Sequence, residues 1–290
     1  LLAIGIRGQV MFGQYVDYYL LKTICHKNNL VNSPRDLVEK NRQVRLDMAE
    51  VNEFIECFDT EIVFNNKSVL DIGCGDGALA MQIAAQGACR VVGIDIRKEQ
   101  IAMANNFAAA NNMLEKYNIE FIIADVTKQI LSEKFDIIVS LATFEHVSDM
   151  KLLLSSIREM LVDGGLMCSV FGPLYHSAYG DHFGSFFKYQ IPYRGVLFNE
   201  MALLRLYREF ERRFDAAETI YERDGGMNKH TYDEFVEMFK NSGLDVVEMK
   251  PRVSTYRNSN ILKYYINNII SNIYLFRNYI AASPVIVLRK

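Results

Sequence analysis

The sequence holds no tryptophan, only five prolines, and five cysteines without a single C-x-x-C pair. The cysteine total is odd, and Cys25, Cys57, Cys74, Cys89 and Cys168 are scattered, so neither a disulfide framework nor a zinc site is indicated. They read as the reduced, mostly buried thiols of a cytoplasmic protein. Charge of one sign is also missing: 32 Lys and Arg stand against 35 Asp and Glu, a net charge of -3, which argues against nucleic acid as the partner. A clean hydrophobic run is missing too. Residues 1–21 are apolar but broken by Arg7, Asp17 and three glycines, so they fit neither a signal peptide nor a spanning helix, and no stable membrane insertion is expected.

What is present is enough apolar side chain for a large core, 50% of the 290 residues. The organising stretch is Val69-Leu70-Asp71-Ile72-Gly73-Cys74-Gly75-Asp76-Gly77, an apolar strand that runs into three glycines at alternate positions and then into a helix start. A strand, glycine turn and helix N-terminus can bring backbone N–H groups against a ligand. The dinucleotide fingerprint of an NAD(P)-dependent oxidoreductase needs Gly-x-Gly-x-x-Gly, and here the third glycine comes one residue early. Asp71 and Asp76 add negative charge, which suits a cationic ligand better than a pyrophosphate. Cys74 is a small residue filling the turn, with no activator in the sequence that would make it a nucleophile.

Two further acids follow at strand ends. Arg90-Val91-Val92-Gly93-Ile94-Asp95 places Asp95 close to the spacing expected of a carboxylate that accepts from a ribose diol, the alternative being a cap for the helix that starts near Arg97. Ile119 to Val126 forms a third strand with Asp125 just past its end. Open α/β sheets bind ligands at the carboxyl edge of their strands, where all three acids fall.

The glycine run resembles motif I of the class I S-adenosylmethionine-dependent methyltransferases, and the strand-end acids follow in that family's order. The resemblance implies that Asp71, Gly73, Cys74, Gly75 and Gly77 border the methionine end of S-adenosyl-L-methionine, with Asp95 and Ile96 at the ribose. It implies that Asp125 accepts from the adenine amino group while the Val126 N–H meets a ring nitrogen, and that Ser140 and Leu141 complete the rim. After Phe135 to Ser140, the fourth strand, there is no Asn/Asp-Pro-Pro-Tyr tetrad of the kind that amino-group methyltransferases carry, and no Asp at the place where catechol-type enzymes hold a metal, so no metal is expected. Phe144-Glu145-His146-Val147-Ser148-Asp149 looks like the Glu-His-Val-x-Asp stretch of small-molecule methyltransferases. His146 reads there as a residue that caps or packs the next helix, Lys151 to Leu161, which leaves by Asp163-Gly164-Gly165 into a fifth strand, Leu166 to Phe171.

The expected fold is therefore α/β, a seven-stranded, mostly parallel, doubly wound sheet with an antiparallel last strand and a helical cap insertion. Residues 1–60 form an N-terminal helical arm that packs over the sheet edge, with helices at 10–31 and 35–58; the alternative that the resemblance implies is an arm closing over the cofactor through a polar residue such as Tyr15, Arg42 or Arg45. Residues 61–171 are the cofactor-binding core, 172–230 the cap, and 231–290 the end of the sheet, with strands at 245–250 and 284–289 forming a hairpin. An insertion at 251–282 reads as a lid or a homodimer surface. The cap exceeds the usual α/β connection severalfold and so is where a substrate pocket is expected. It holds the two candidate general bases, His182 in its Gly-Asp-His-Phe-Gly setting and His176, and a long helix over 196–221 whose arginines form a solvated face. The implied activity is methyl transfer to a small-molecule acceptor, most readily a hydroxyl oxygen, by in-line displacement with release of S-adenosyl-L-homocysteine. The rival classes are a binding protein that holds S-adenosylmethionine without chemistry and the oxidoreductase.

Overall fold

Neighbouring residues on the central strands face opposite layers, since side chains alternate across a strand. Val69, Val91, Ile137, Cys168 and Val287 belong to one buried cluster, and Leu70, Val92, Ile138, Met167 and Leu288 to the other. A sheet covered on both faces needs apolar residues at every position, which is why its strands read as continuous hydrophobic runs. The computed structural model describes residues 13, 15–24, 49–182, 191–211, 226–252 and 273–290.

In chain order the described elements are α1 (15–24), α2 (Ala49–Ile55), β1 (Ser68–Ile72), α3 (Ala78–Ala85), β2 (Arg90–Asp95), α4 (Lys98–Ala110), α5 (Met113–Lys116), β3 (Ile119–Ile123) and β4 (Phe135–Leu141). They continue with α6 (Met150–Met160), β5 (Leu161–Val170), α7 (Arg194–Leu197), α8 (Glu200–Glu211), α9 (Tyr232–Lys240), β6 (Asp245–Lys250), α10 (Tyr274–Ile280) and β7 (Val285–Arg289). The seven strands lie in the order β3-β2-β1-β4-β5-β7-β6. β1 to β5 are parallel, and β7 runs antiparallel to both of its neighbours. The hairpin expected at the sheet's end is present, but the last strand in sequence slots inside and β6 takes the edge. That edge is covered by polar ties: Glu248 accepts from the backbone N–H groups of Asp59 and Thr60, and Lys250 bridges Asp59 and Glu248.

One layer is made by α2 to α5 and the other by α6 and α9. α3 is apolar but for Gln82, its residues Ala78 to Ala84 all being buried. α6 starts on Asp149, whose side chain accepts from Leu152 N, and α9 on a reciprocal pair in which the Thr231 and Glu234 side chains each accept from the other's backbone N–H. The helix after the β4 rim is therefore capped by Asp149 and not by His146.

Three sequence expectations need correction. The Asp163-Gly164-Gly165 stretch is inside β5, which begins directly after α6, because Gly164 N donates to Lys290 O and Lys290 N to Gly165 O, pairing the stretch with the chain's last residue. The helix expected over 196–221 is broken at Phe198-Asn199, where Asp17 of α1 accepts from Asn199 N and the Asn199 side chain accepts from Met201 N to start α8; residues 212–225 lie outside the described residues. Of the arm, α2 does cover the sheet layer, with Val51 N donating to the Gln82 side chain of α3. α1 does not: Tyr18 and Leu21 pack with Tyr175, Ala202, Leu203, Leu206 and Met227 in a separate cap cluster. The alternation that buries one face of α1 was legible, but which surface it meets was not. Arg42 and Arg45, and 253–272 of the late insertion, lie outside the described residues, while α10 packs on α9 through Arg277 and Asn278, both bonded to Asp233.

Candidate functional site

Gly73 N and Cys74 N both donate to Ile94 O, at 2.8 and 2.9 Å, and this sews the turn after β1 to the end of β2. Gly73, Gly75 and Gly77 all take positive φ, of 76, 55 and 80°, which only glycine adopts without strain. A Cβ on Gly77 would stand 2.6 Å from the Phe121 ring, and one on Gly73 would overlap the Thr143 side chain. Over Gly75 nothing lies within 4 Å of that position, so the turn is packed at both ends and open in its middle.

The acids gather around this opening. Asp71 is buried at 1% exposure, one position before the strand ends. Asp95 accepts from Gly75 N at 3.2 Å through Oδ2, and from Arg97 N at 2.8 Å through Oδ1, with the Arg97 guanidinium bonded to both oxygens. Asp95 thus holds the chain entering α4, as the cap reading expected, and ties it to the glycine turn. Ala124 N donates to Asp95 O, bringing the loop that carries Asp125 alongside. Burial pushes the Asp125 carboxyl up, but the Thr127 hydroxyl and N–H and the Lys128 ammonium outweigh it and hold the group below the ordinary carboxylate range. Ser140 is buried and donates to Ile72 O at 2.9 Å, which fixes the carboxyl end of β4 against the turn, and Leu141 is half-buried beside it. Ile96 is 69% exposed, whereas the Val126 side chain is buried in the core. Burial, and then the carboxylates of Asp71, Asp95 and Asp76, push the Cys74 thiol far above its ordinary value, consistent with an inert turn residue.

Beyond β4 the chain turns through Ala142, at φ 52°, into a single 3-10 turn, Phe144–His146. Thr143 Oγ1 donates toward Ile72 O, linking this turn back to the glycines. Glu145 is fully enclosed, and burial pushes its carboxyl up to about 8, against the opposing pull of the Gly172 N–H. His146 donates from Nδ1 to Gly226 O at 2.7 Å, which in the neutral ring leaves the lone pair on Nε2. The two candidate bases separate here. His182, at φ 55°, brings its ring within 5.5 Å of the His146 ring, edge to face, and so stands at the rim. His176 donates from Nε2 to Lys229 O at 3.0 Å and is thereby turned to the other root of the cap.

Sequence reasoning missed the groups that fix the cap. Asp181 and Arg194 form a two-bond ion pair, both contacts 2.7 Å, with side-chain exposures of 2 and 1% respectively. Asn228, with no motif around it, donates to Phe144 O and Val147 O. Tyr15, expected at the cofactor, is half-exposed on α1 with the Arg205 guanidinium 6.0 Å from its ring. Among the described residues, no group of three or more His, Cys, Asp or Glu is placed to hold a metal ion. Nor is any helix there long and apolar enough to cross a membrane.

The sheet order, with acids at three successive strand ends above a glycine turn, is the class I methyltransferase fold, and residues 64–173 match the family model described as a methyltransferase domain. Over those residues the chain is similar to a methyltransferase domain. The chain is 39% identical over 104 residues to a ubiquinone biosynthesis O-methyltransferase of Bartonella tribocorum, an alignment that spans 36% of this chain and 40% of that protein. It is 30% identical over 135 residues to an (S)-coclaurine N-methyltransferase of Thalictrum flavum, spanning 44% of this chain and 35% of that one. The aligned part is thus about two fifths of each relative. In fold it is similar to an S-adenosylmethionine-dependent methyltransferase of Mesorhizobium loti, with a TM-score of 0.51 over 79% of this chain and 94% of the other, at 16% identity.

Proposed function

We propose that the protein transfers a methyl group from S-adenosyl-L-methionine to a small-molecule acceptor, most readily at a hydroxyl oxygen. The observation that carries this reading is the open space over Gly75, whose N–H is held by the Asp95 carboxylate, inside a segment that matches a methyltransferase domain. Turn N–H groups cannot be crowded there by a side chain, and the acids favour a ligand with cationic and hydroxyl-bearing parts. Gly73, Cys74, Gly75 and Gly77, with Asp71, would receive the amino-acid end, Asp95 and Ile96 the ribose, and Asp125 and Val126 the adenine. Ser140 and Leu141 would close the rim.

When bound, the cofactor supplies a sulfonium methyl that an acceptor oxygen takes in line, leaving S-adenosyl-L-homocysteine. The chain's own contribution is to hold and align the acceptor and exclude water, which can supply most of the rate without covalent machinery. His182, placed at the rim against His146, is positioned to take the hydroxyl proton; His176, tied to Lys229, has only Nδ1 left to accept one. The curated relatives include both an O- and an N-methyltransferase, so the acceptor atom rests on the cap chemistry. No metal is invoked, and a homodimer through the cap or the 251–282 insertion belongs to the same reading.

Calorimetry with S-adenosylmethionine and with NADH tests the reading, followed by detection of S-adenosylhomocysteine over a panel of phenolic and aliphatic alcohols. Binding of S-adenosylmethionine alone is expected, and Asp95→Ala should weaken it by about 100-fold, as loss of charged hydrogen bonds in a buried site does. Failure of the wild-type chain to bind S-adenosylmethionine sinks the proposal. Binding without product over the whole panel leaves a cofactor-holding protein in its place.

A further inference from the structure

Glu145 touches the two ends of the cap at once. Its Oε1 accepts from Gly172 N at 2.9 Å, where the chain leaves the sheet after β5, and its backbone oxygen accepts from Asn228 N at 2.8 Å, where the chain returns. Asn228 answers with its side chain, whose Nδ2 donates at 2.8 Å both to Phe144 O and to Val147 O, the carbonyls on either side of Glu145. His146 adds a bond to Gly226 O and a ring contact to His182 in the cap. On its inner side the same turn hangs from Thr143, whose hydroxyl reaches Ile72 O, and whose side chain fills the space a Cβ on Gly73 would need. Phe144 anchors it below, 5.4 Å from Phe171 and 6.3 Å from Phe239.

We infer that Glu145 is a positioning residue that couples the two roots of the cap to each other and to the glycine turn, and so sets the acceptor pocket relative to the methyl donor. The inference rests on the methyltransferase reading for its consequence, not for its geometry. It follows from connectivity: about sixty residues leave and re-enter the core, and at each crossing point a backbone N–H, that of Gly172 and that of Asn228, is accepted by Glu145. Glu145 is 1% exposed, and among the described residues its Oε2 meets no hydrogen-bond partner, so one oxygen alone makes the tie to Gly172. A buried N–H that loses its acceptor is costly, which makes this bond the weak point of the coupling. A shift of the turn would move both roots together, alongside the one direct bond described between them, from His176 Nε2 to Lys229 O.

The experiment compares Glu145→Leu, which removes the acceptor while keeping bulk, with Glu145→Gln, which keeps an accepting oxygen. Amide hydrogen exchange at Gly172 and Asn228 is the direct readout. Glu145→Leu should lower protection about 10-fold at both amides, leave the strand amides of β1 to β4 unchanged, and leave the affinity for S-adenosylhomocysteine within about 3-fold. Glu145→Gln should restore both amides. With any acceptor that turns over, the leucine variant should raise KM for that acceptor about 10-fold, and the glutamine variant should return it. Loss of protection at Gly172 alone shows uncoupled roots and overturns the inference. So does a glutamine variant that keeps both amides protected yet loses kcat, because the carboxyl proton is then used directly. If the leucine variant does not fold, Asn228→Ala decides: loosening at Gly172, a residue it does not touch, supports the coupling, and unchanged protection there refutes it. Failure of the wild type to bind S-adenosylhomocysteine would remove the methyltransferase reading and leave the exchange result standing.

Discussion

Between β1 and β4 the candidate site is held largely by backbone: Gly73 N and Cys74 N on Ile94 O, Ala124 N on Asp95 O, and Gly75 N on the Asp95 carboxylate. In the cap the corresponding ties are long-range side-chain bonds, with Asp181 on Arg194, Tyr18 and Lys22 on Glu209, Tyr175 on Gly195 O and Asn228 on the 3-10 turn. The core places its groups by strand pairing, which tolerates many sequences as long as the pattern holds. The cap places its groups by particular pairs, each vulnerable to one substitution. A rigid rim for a common cofactor beside a variable wall for an acceptor is the division of labour this contrast suggests, and the contrast can be broken by experiment.

The largest effect is expected where the two regions meet. Glu145 has its carboxyl raised from 4.5 to about 8 by burial, so the folded state keeps its proton over a range in which the unfolded chain has lost it. Stability attributable to this group is intact below about pH 4.5 and is lost as the pH rises to about 8, a decline of about 4–5 kcal/mol. Glu145→Gln removes that slope. Urea denaturation of both proteins from pH 5 to pH 9 should show curves that diverge steadily, the variant being the more stable at the alkaline end. Parallel curves would mean that the carboxyl is not enclosed.

Next comes Arg194→Ala. Breaking one side of an enclosed ion pair leaves a buried carboxylate, at a cost of about 3–5 kcal/mol, while replacing both partners, as in Asp181→Leu with Arg194→Met, should recover most of it. Thermal unfolding and limited proteolysis should place the damage in the cap, with the affinity for S-adenosylhomocysteine unchanged. Equal loss of that affinity would show that the core depends on the cap, and the contrast drawn above would fail.

The same contrast explains how far the sequence could be read. The strands, the glycine turn and the strand-end acids were legible because period, length and turn chemistry are local, and β2 and β6 run over the residues expected. The hairpin of β6 and β7 followed from the family resemblance, while β7's place between β5 and β6 carries no local pattern. The cap was visible only as a long connection. That α1 packs on α8, that Asp181 answers Arg194, or that Asn228 closes the turn at Phe144 depends on pairs as far as 191 positions apart, as Tyr18 and Glu209 are, and single-residue chemistry carries no signal of them. His182 stood ahead of His176 in the chain only for the glycines around it; the contacts of their rings are what separate them in space.

The smallest effect concerns an exposed side chain that intrudes on the backbone-held rim. Arg97 places its guanidinium on both oxygens of Asp95, at 3.2 and 3.3 Å, with its own side chain 52% exposed and that of Asp95 4%. A ribose diol donating to Asp95 must compete with it, since the carboxylate already accepts from Gly75 N and Arg97 N. A half-exposed pair of this kind is worth about 0–1 kcal/mol, so displacing it costs little but not nothing. Arg97→Ala should therefore tighten S-adenosylhomocysteine by about 2- to 5-fold in calorimetry at low salt, with the gap between variant and wild type closing as salt screens the pair. Weaker binding by the variant would put the guanidinium on the ligand instead of on its competitor, and the rim would then share the cap's reliance on a single side chain.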